Sequence, residues 1–413
     1  MKLKKTILKS FLIMMVLCAC ANEKKGPEEL EIVMTDGEPV SREEELAMPE
    51  TDTVITMNGP EGFQKKGEGN AEPIFFMSGD RCTGTEPVTG LNWGISEFAY
   101  NGEKVYLLKA YSVPMAQLWE KYEILEMDPK TNGQRLLVEK PNIHLLNEFN
   151  ASGKYLYWVE YCDRVDESEE IYVVYRIMQY NLETQKEKLL GERDGRKYDE
   201  ICLTVDDNYV TWYDSLWEGE TTEGMHSIAV YDVRKQQFVA MPESMKVRKH
   251  SGYVRLPVCD QGITFFSESD EGELIIRRMQ LDTRELTDLK IEVDRTKRNP
   301  VSCFSTKEYF GYLTEYGTGT CYAYELKSSK LYSIKAQDVS KKYFAGDKLY
   351  ACPTDEQEAV CYDLGNASVY VYNLGEYVGY KFIKGAGDVP LLEIRDPKSN
   401  GIGIVRIYSD SMY

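Results

Sequence analysis

One short pattern recurs along most of this chain: an alternating apolar strand, an acidic or amide residue, a tight polar turn and another apolar strand. The residue that opens the turn is found at seven positions, namely Asp128, Asn181, Asp232, Gln280, Glu325, Asp363 and Asp396. These positions are separated by 53, 51, 48, 45, 38 and 33 residues. A unit that recurs at such spacing constrains the whole fold, because each unit can bury its apolar faces only against its neighbours.

The turns at the two ends of the array are nearly identical, with "DPKTNG" at 128–133 and "DPKSNG" at 396–401. Before each turn lies a run rich in aromatic and β-branched residues, such as "YLYWVEY" at 155 and "YFGYLTEY" at 309. Alternation of this kind favours β-strands, and the polar turn residues favour hairpins. Most units also contain a shorter apolar run further upstream, so most units are predicted to contain four strands.

Seven four-stranded units predict an all-β chain folded as a seven-bladed β-propeller, with six or eight blades as alternatives and a pair of β-sandwiches less favoured. The last unit is short, and the apolar stretch "PIFFMS" at 73–78 has no neighbouring strand in the sequence. We therefore expect this stretch to pair with the terminal unit and close the ring.

The N-terminus has the features of an export signal. Four lysines lie within residues 1–9, and residues 11–17 form an apolar run too short to span a bilayer as a permanent helix. The following sequence, "LCAC" at 17–20, resembles the bacterial lipobox. This resemblance implies a lipoprotein whose signal peptide, residues 1–19, is removed and whose Cys20 carries acyl chains such as palmitate. A cleaved signal peptide with incidental cysteines is the alternative.

Residues 20–70 are rich in Glu, Gly, Pro and Lys and have little apolar periodicity. Such a segment cannot bury enough surface to offset its ordering entropy, so we predict a flexible, disordered acidic linker that begins at the lipidated Cys20. The propeller domain is then predicted at 71–413. Acyl chains on Cys20 would hold it at the cell membrane, on the extracytoplasmic side.

The repeat array resembles the TolB-like and YWTD-type propellers of secreted bacterial proteins, and the resemblance covers residues 71–413. It implies a module that binds a protein, a peptide or a glycan, since only a minority of such propellers are enzymes.

The composition argues against several classes of function. A formal net charge of -19 disfavours nucleic acid and anionic lipid surfaces as partners, so contact with a membrane is expected only through the lipid anchor. The three histidines are not spaced as metal ligands, there is no CxxC pair, and no phosphate loop precedes a helix. We therefore predict neither a metal nor a cofactor, and a Ser or Cys hydrolase is disfavoured.

The segment 214–220, "DSLWEGE", contains the best pair of candidate catalytic carboxylates, Asp214 and Glu218. Two such groups at a suitable separation can hydrolyse a glycosidic bond, and Trp217 beside them could bind a sugar face. The alternative is that these acids lie on a solvated hairpin loop, with Trp212 in the core of the blade.

The charges of the loops follow a second pattern. In a propeller, the loops between the second and third strands of a blade and the links between blades open on one face. The former are acidic here and the latter basic, which predicts a cluster of cations near the central mouth that binds an anionic ligand or an acidic segment. Its members are Arg196, Lys197, Arg248, Lys249, Arg295 and Arg298. The alternative is that these charges pair with their acidic neighbours.

These features together favour a membrane-anchored, non-catalytic binding or scaffolding module. The second hypothesis is a carboxylate-based glycan hydrolase or lyase that uses the same face.

Overall fold

The computed structural model describes most of the chain from residue 54 onwards. The described residues are 54–58, 65–68, 70–112, 119–131, 133–198, 200–214, 227–242, 247, 257–259, 261–268, 274–290, 300–314, 320–335, 341–352, 357–383 and 390–408. All of them belong to a compact unit that spans residues 38–413. The predicted signal peptide and Cys20 lie outside the described residues.

The chain folds as a seven-bladed β-propeller, as the repeats predict. Three strands come first, β1 (Val54–Asn58), β2 (Lys65–Glu68) and β3 (Asn70–Met77), and they are followed by the short helix α1 (Gly79–Cys82). The short strand β4 (Thr83–Thr85) then pairs with the edge of blade 1, whose first to fourth strands are β5 (Asn92–Tyr100), β6 (Val105–Ser112), β7 (Trp119–Met127) and β8 (Gln134–Pro141). Blade 2 contains β9 (Leu145–Ser152), β10 (Tyr155–Val165), β11 (Ile171–Asn181) and β12 (Lys186–Asp194).

The remaining blades follow in chain order. Blade 3 contains β13 (Thr204–Val205), β14 (Tyr209–Asp214), β15 (Ser227–Asp232) and β16 (Gln237–Phe238). Blade 4 contains β17 (Val258–Cys259), β18 (Gly262–Glu268), β19 (Leu274–Gln280) and β20 (Leu286–Lys290). Blade 5 contains β21 (Pro300–Ser305), β22 (Tyr309–Thr314), β23 (Thr320–Glu325) and β24 (Lys330–Lys335). Blade 6 contains β25 (Lys341–Ala345), β26 (Lys348–Cys352), β27 (Glu358–Asp363) and β28 (Ser368–Asn373), and blade 7 contains β29 (Val378–Ile383), β30 (Leu391–Arg395) and β31 (Ile402–Tyr408).

The N-terminal strand β3 completes blade 7 and closes the ring. It pairs antiparallel with β31, from Asn70 opposite Tyr408 to Met77 opposite Ile402. The sheet order is β29, β30, β31, β3, so β3 is the fourth strand of a blade whose other three strands come from the C-terminus. This confirms the closing role predicted for residues 73–78.

The segment predicted as a linker, residues 20–70, contains two further strands that belong to the propeller. β1 pairs in parallel with β24 at one edge of blade 5, and β2 pairs in parallel with β28 at the corresponding edge of blade 6. Just before β3, the chain therefore follows the outer rim past two successive blades. The sequence signal for these strands is weak because each is only four or five residues long.

The hydrophobic core lies between neighbouring blades. Trp158 and Tyr122 pack between blades 1 and 2, and Trp212 packs between blades 2 and 3. The last interface joins blade 7 to blade 1, where Phe75 of β3 packs with Phe98 of β5. The centres of the Phe75 and Phe98 rings are 6.1 Å apart. Closure of the ring therefore buries the face of blade 1 that would otherwise meet water.

The repeated turns share one geometry. In every repeat for which this position is described, a residue with positive φ ends the turn four positions after the residue that opens it: Gln185, Gln236, Arg284, Ser329, Ala367 and Asn400. The corresponding position of the first repeat, 132, lies outside the described residues. Where the opening residue is Asn or Asp, its side chain accepts backbone N–H groups further along the turn, as Asn181 Oδ1 does from Glu183 and Thr184. The recurring acidic or amide residue therefore specifies the turn.

The last repeat differs from the sequence prediction in one respect. "DPKTNG" joins the third and fourth strands of blade 1, whereas "DPKSNG" joins the second and third strands of blade 7. The two hexapeptides are therefore not equivalent, and successive antiparallel turns place them on opposite faces of the ring. The short final spacing of 33 residues has the same origin, because Asp396 follows a second strand and Asp363 follows a third.

Candidate functional site on the loop face

The two faces of the propeller differ in regularity. We call the turn face the one formed by turns between the first and second and between the third and fourth strands. We call the loop face the opposite one, formed by loops between the second and third strands and by links between blades. The links between blades on the loop face differ in length: the shortest spans residues 142–144 and the longest spans residues 239–257.

One backbone hydrogen bond recurs from blade to blade on the turn face. In blades 2 to 6 the residue after the turn-opening residue donates its N–H to a carbonyl of the turn between the first and second strands. The pairs are Leu182 to Lys154 (2.9 Å), Val233 to Asn208 (2.8 Å), Leu281 to Gln261 (2.6 Å), Leu326 to Glu308 (2.9 Å) and Leu364 to Asp347 (3.0 Å). This regularity indicates a structural role, whereas irregular loops on a rigid scaffold usually carry function.

Among the described strands, the second and third strands of blade 2 form the longest hairpin on the loop face. β10 and β11 each contain 11 residues, whereas the second and third strands of the other blades contain between five and nine. Pairing continues to Val165 opposite Ile171, where both side chains are exposed, at 43% and 57%. The hairpin therefore presents an apolar pair to solvent on a rigid support.

The turn of this hairpin, residues 166–170, is ordered by Asp166. Its Oδ1 accepts the N–H groups of Ser168 (2.9 Å) and Glu170 (3.1 Å) and the Ser168 hydroxyl (2.6 Å). The Ser168 hydroxyl, the Glu170 N–H and the nearby Arg196 hold the pKa of Asp166 below its ordinary value. Asp166 therefore remains charged and fixes the tip of the hairpin.

Arg196, a predicted member of the cation cluster, is paired with acids. Its guanidinium lies 2.7 Å from an oxygen of Asp166 and 2.7 Å from an oxygen of Asp194, and its Cζ lies 3.7 Å from the centre of the Tyr172 ring. This is the alternative arrangement, in which basic links pair with acidic loops. Lys197, the next residue, is exposed in the same turn.

Asp214, a candidate catalytic carboxylate, connects two blades. Both of its oxygens accept hydrogen bonds at 2.6 Å from Arg193, which lies on β12 of blade 2. The side chains of Arg193 and Asp214 are only 13% and 17% exposed. Burial alone would lower the pKa of Arg193, but the bond to Asp214 outweighs it and the pKa is raised. Asp214 is therefore part of an inter-blade ion pair, and Trp212 on the same strand is fully buried in the core.

The other predicted site residues lie outside the described residues, so the structure does not place them. They are Trp217, Glu218, Arg248, Lys249, Arg295 and Arg298.

Blade 1 contains a charged and aromatic cluster that the sequence analysis did not identify. The Lys109 ammonium lies 4.1 Å from the centre of the Trp93 ring and 4.6 Å from that of Tyr111. The Tyr111 hydroxyl donates to Glu123 (2.6 Å), which also pairs with Lys121 (3.0 Å). Burial lowers the pKa of Lys109. The available signal was a lysine within the apolar run "VYLLKAY".

Three further properties of the described residues bear on function. They contain no group of His, Cys, Asp or Glu side chains that could hold a metal ion. None of their helices is long and apolar enough to cross a membrane. The free cysteines among them are all buried: Cys82, Cys162, Cys202, Cys303, Cys321, Cys352 and Cys361.

Comparison with known proteins identifies no close relative. No family model matches the chain, and no curated protein matches it in sequence. Among solved structures, the β-propeller domain of the trilobed protease from Pyrococcus furiosus is 12% identical, with a TM-score of 0.49, over 76% of this chain and 92% of that one. TolB from Acinetobacter baumannii is 12% identical, with a TM-score of 0.33, over 74% of this chain and 80% of that one.

A structure from a study of two prolyl endopeptidases is 11% identical, with a TM-score of 0.47, over 82% of this chain. The chain spans about half of that protein, 51% of its length. At such low identity these similarities concern the fold, and function has to be argued from this chain's own residues.

Proposed function

We propose that this protein is a membrane-tethered β-propeller that binds another protein through its loop face and does not catalyse a reaction there. One observation carries the proposal, namely a difference between the two faces. The turns of the turn face are regular and share one recurring hydrogen bond, whereas the loop face presents a long, ordered hairpin with exposed apolar residues. The exposed side chains of Val165 and Ile171 contribute little to the folded core, and exposed apolar patches of this kind often mark binding surfaces.

The geometry of Asp214 argues against the glycan hydrolase hypothesis. A general acid must be able to protonate a leaving group, and a nucleophile needs a free oxygen. Both oxygens of Asp214 are held by Arg193 in a mostly buried ion pair. Asp214 therefore suits a structural role between blades 2 and 3 better than a catalytic one.

The tether that we propose is an acylated Cys20. The resemblance of residues 17–20 to a lipobox supports it, together with the lysine-rich and apolar segments before them. Two or more acyl chains would give stable attachment to the extracytoplasmic side of the cell membrane. The first described strand starts at Val54, so more than thirty residues separate this anchor from the propeller.

The test compares the full chain with its Cys20→Ala variant in the native host, after cell fractionation and affinity capture. We expect the wild type in the membrane fraction and the variant in the soluble extracytoplasmic fraction. A second pair of variants, Val165→Ser with Ile171→Ser and the control Leu136→Ser, tests the loop face, because Leu136 is 51% exposed on β8 in blade 1.

Loss of one captured protein with the hairpin variant, but not with the control, is the expected result. Turnover of a glycan by the wild type, measured by release of reducing ends, would overturn the non-catalytic proposal. Equal capture by all variants would overturn the role of the hairpin.

A further inference from the structure

We propose that the tip of the blade 2 hairpin, residues 163–172, is a docking surface for a basic, partly apolar segment of a protein partner. This inference rests on the proposed function and specifies the chemistry of the partner. We call these residues the hairpin tip.

The centre of the hairpin tip is apolar. Val165 and Ile171 are opposite each other at the end of the β10–β11 pairing, and both are largely exposed. Cross-strand neighbours on one pair of strands form a single contact patch. A partner that covers the patch removes it from water, and this favours association.

The rim of the hairpin tip is negative. Glu167, Glu169 and Glu170 are exposed, and none of them makes an ion pair with a described residue. The nearest cation of the link to blade 3, Arg196, is already paired with Asp166 and Asp194. Residues 163–172 contain five acids and one cation, Arg164, so the net charge around the apolar pair is acidic, and complementarity calls for Lys or Arg on the partner.

The hairpin tip is held in place before any partner arrives. Arg196 stacks on Tyr172 and pairs with Asp166, and the Gly195 N–H donates to the Val173 carbonyl (2.8 Å). Contacts from the link to blade 3 therefore fix the position of the hairpin. A surface that is already ordered loses little conformational entropy when it binds, so a small patch can contribute usefully to affinity.

This surface differs from the predicted cation cluster, which would select an acidic partner. Of the two described members of that cluster, Arg196 is neutralised by its neighbours, and only Lys197 remains as an exposed cation beside the three exposed glutamates. The observed charges thus favour a basic partner over an acidic one.

The test is site-specific photo-crosslinking of the full-length chain in native membranes. A photoreactive amino acid replaces Val165 in one protein and Leu136 in the control, since both positions are exposed and apolar. We expect a crosslink to one protein from position 165 and not from 136, with the crosslinked peptide rich in Lys or Arg.

A charge variant then tests complementarity. Glu167→Gln, Glu169→Gln and Glu170→Gln together remove three charges from the hairpin tip. Glu103→Gln, Glu183→Gln and Glu285→Gln remove three from exposed positions on the turn face. We expect the first set to weaken binding of the crosslinked partner about tenfold, and more at low salt, while the control set has little effect.

The outcomes separate this inference from the proposed function. A partner that crosslinks through other loop-face positions, and whose binding is unchanged by the hairpin charge variant, would overturn the docking surface and leave the binding function standing. An acidic crosslinked peptide would overturn the proposed partner chemistry. Failure to crosslink any protein from any loop-face position would overturn both.

Discussion

The carboxylate of Glu97, on the first strand of blade 1, accepts the backbone N–H of Phe149, on the first strand of blade 2, with 2.8 Å between Oε2 and N. Glu148 repeats this bond one blade further, to the N–H of Leu203 at 2.9 Å. In blades 2 and 3 the first strand is an edge strand with unpaired backbone groups. A glutamate from the preceding blade thus satisfies a donor that the sheet itself leaves open.

Glu97→Ala is expected to destabilise the propeller by about 1–3 kcal/mol, because the buried N–H group of Phe149 loses its acceptor. Denaturant unfolding followed by tryptophan fluorescence measures the change. Glu97→Gln keeps an acceptor oxygen and should cost less. Equal losses for the Ala and Gln variants would contradict a hydrogen-bonding role.

Removal of one member of the Arg193–Asp214 pair leaves a mostly buried charge without its partner. We expect Asp214→Ala to cost about 3 kcal/mol in the free energy of unfolding. The double variant Arg193→Met with Asp214→Ala should recover much of this loss, because no unpaired charge remains. A double-mutant cycle in denaturant measures the coupling. If Asp214→Ala kept full stability, the structural assignment of this residue would be wrong.

The number of blades and the closing strand could be predicted from the sequence because their signals are local. Asn181 and Asp232 mark turns by accepting hydrogen bonds from N–H groups two and three residues later. The same locality explains the error at Asp396. A turn of this kind forms wherever its residues occur, so the hexapeptide alone does not indicate which pair of strands it joins.

The candidate site was less predictable for a related reason. Arg196 carries the charge expected of a ligand-binding residue, but its partners Asp166 and Asp194 come together only when the hairpin and the link fold against each other. Loop charges can be counted from a sequence, whereas their pairing depends on tertiary geometry. Only the hairpin strands themselves, "YLYWVEY" and "IYVVYRIMQY", had a clear periodic signal.

The buried thiols should resist alkylation in the folded protein. Burial raises the pKa of Cys303 from 9.0 to about 12 and that of Cys162 to about 11, so little thiolate exists at mildly alkaline pH. Because the thiolate is the nucleophile, we expect both residues to react with iodoacetamide only after denaturation. Mass spectrometry of native and denatured samples measures this. Rapid labelling of native Cys303 would contradict its burial.

Glu393 provides a test of the pH dependence of stability. Its side chain is 3% exposed on β30, and Arg395 and Lys381 lie 3.3 and 4.0 Å from its oxygens. Burial raises the pKa of Glu393 above its ordinary value of 4.5, although Lys381 and Arg395 oppose the change.

A raised pKa means that the folded state holds this proton more tightly than the unfolded state. The contribution of Glu393 to stability is therefore fully present below pH 4.5, the ordinary pKa of the group, and is lost as the pH rises through the folded-state pKa. Each unit of pKa difference corresponds to about 1.4 kcal/mol. Glu393→Gln carries no titrating group, so this component should disappear from the variant.

We therefore expect the stability of Glu393→Gln, relative to wild type, to increase as the pH rises from below 4.5 towards neutrality. Denaturant unfolding of both proteins across this range measures the difference, and Glu103→Gln, which changes an exposed acid, is the matched control. A difference that stays constant with pH would mean that Glu393 has the same pKa in the folded and unfolded states. A difference that falls would mean that its two cationic neighbours outweigh burial, since they favour the charged form and burial opposes it.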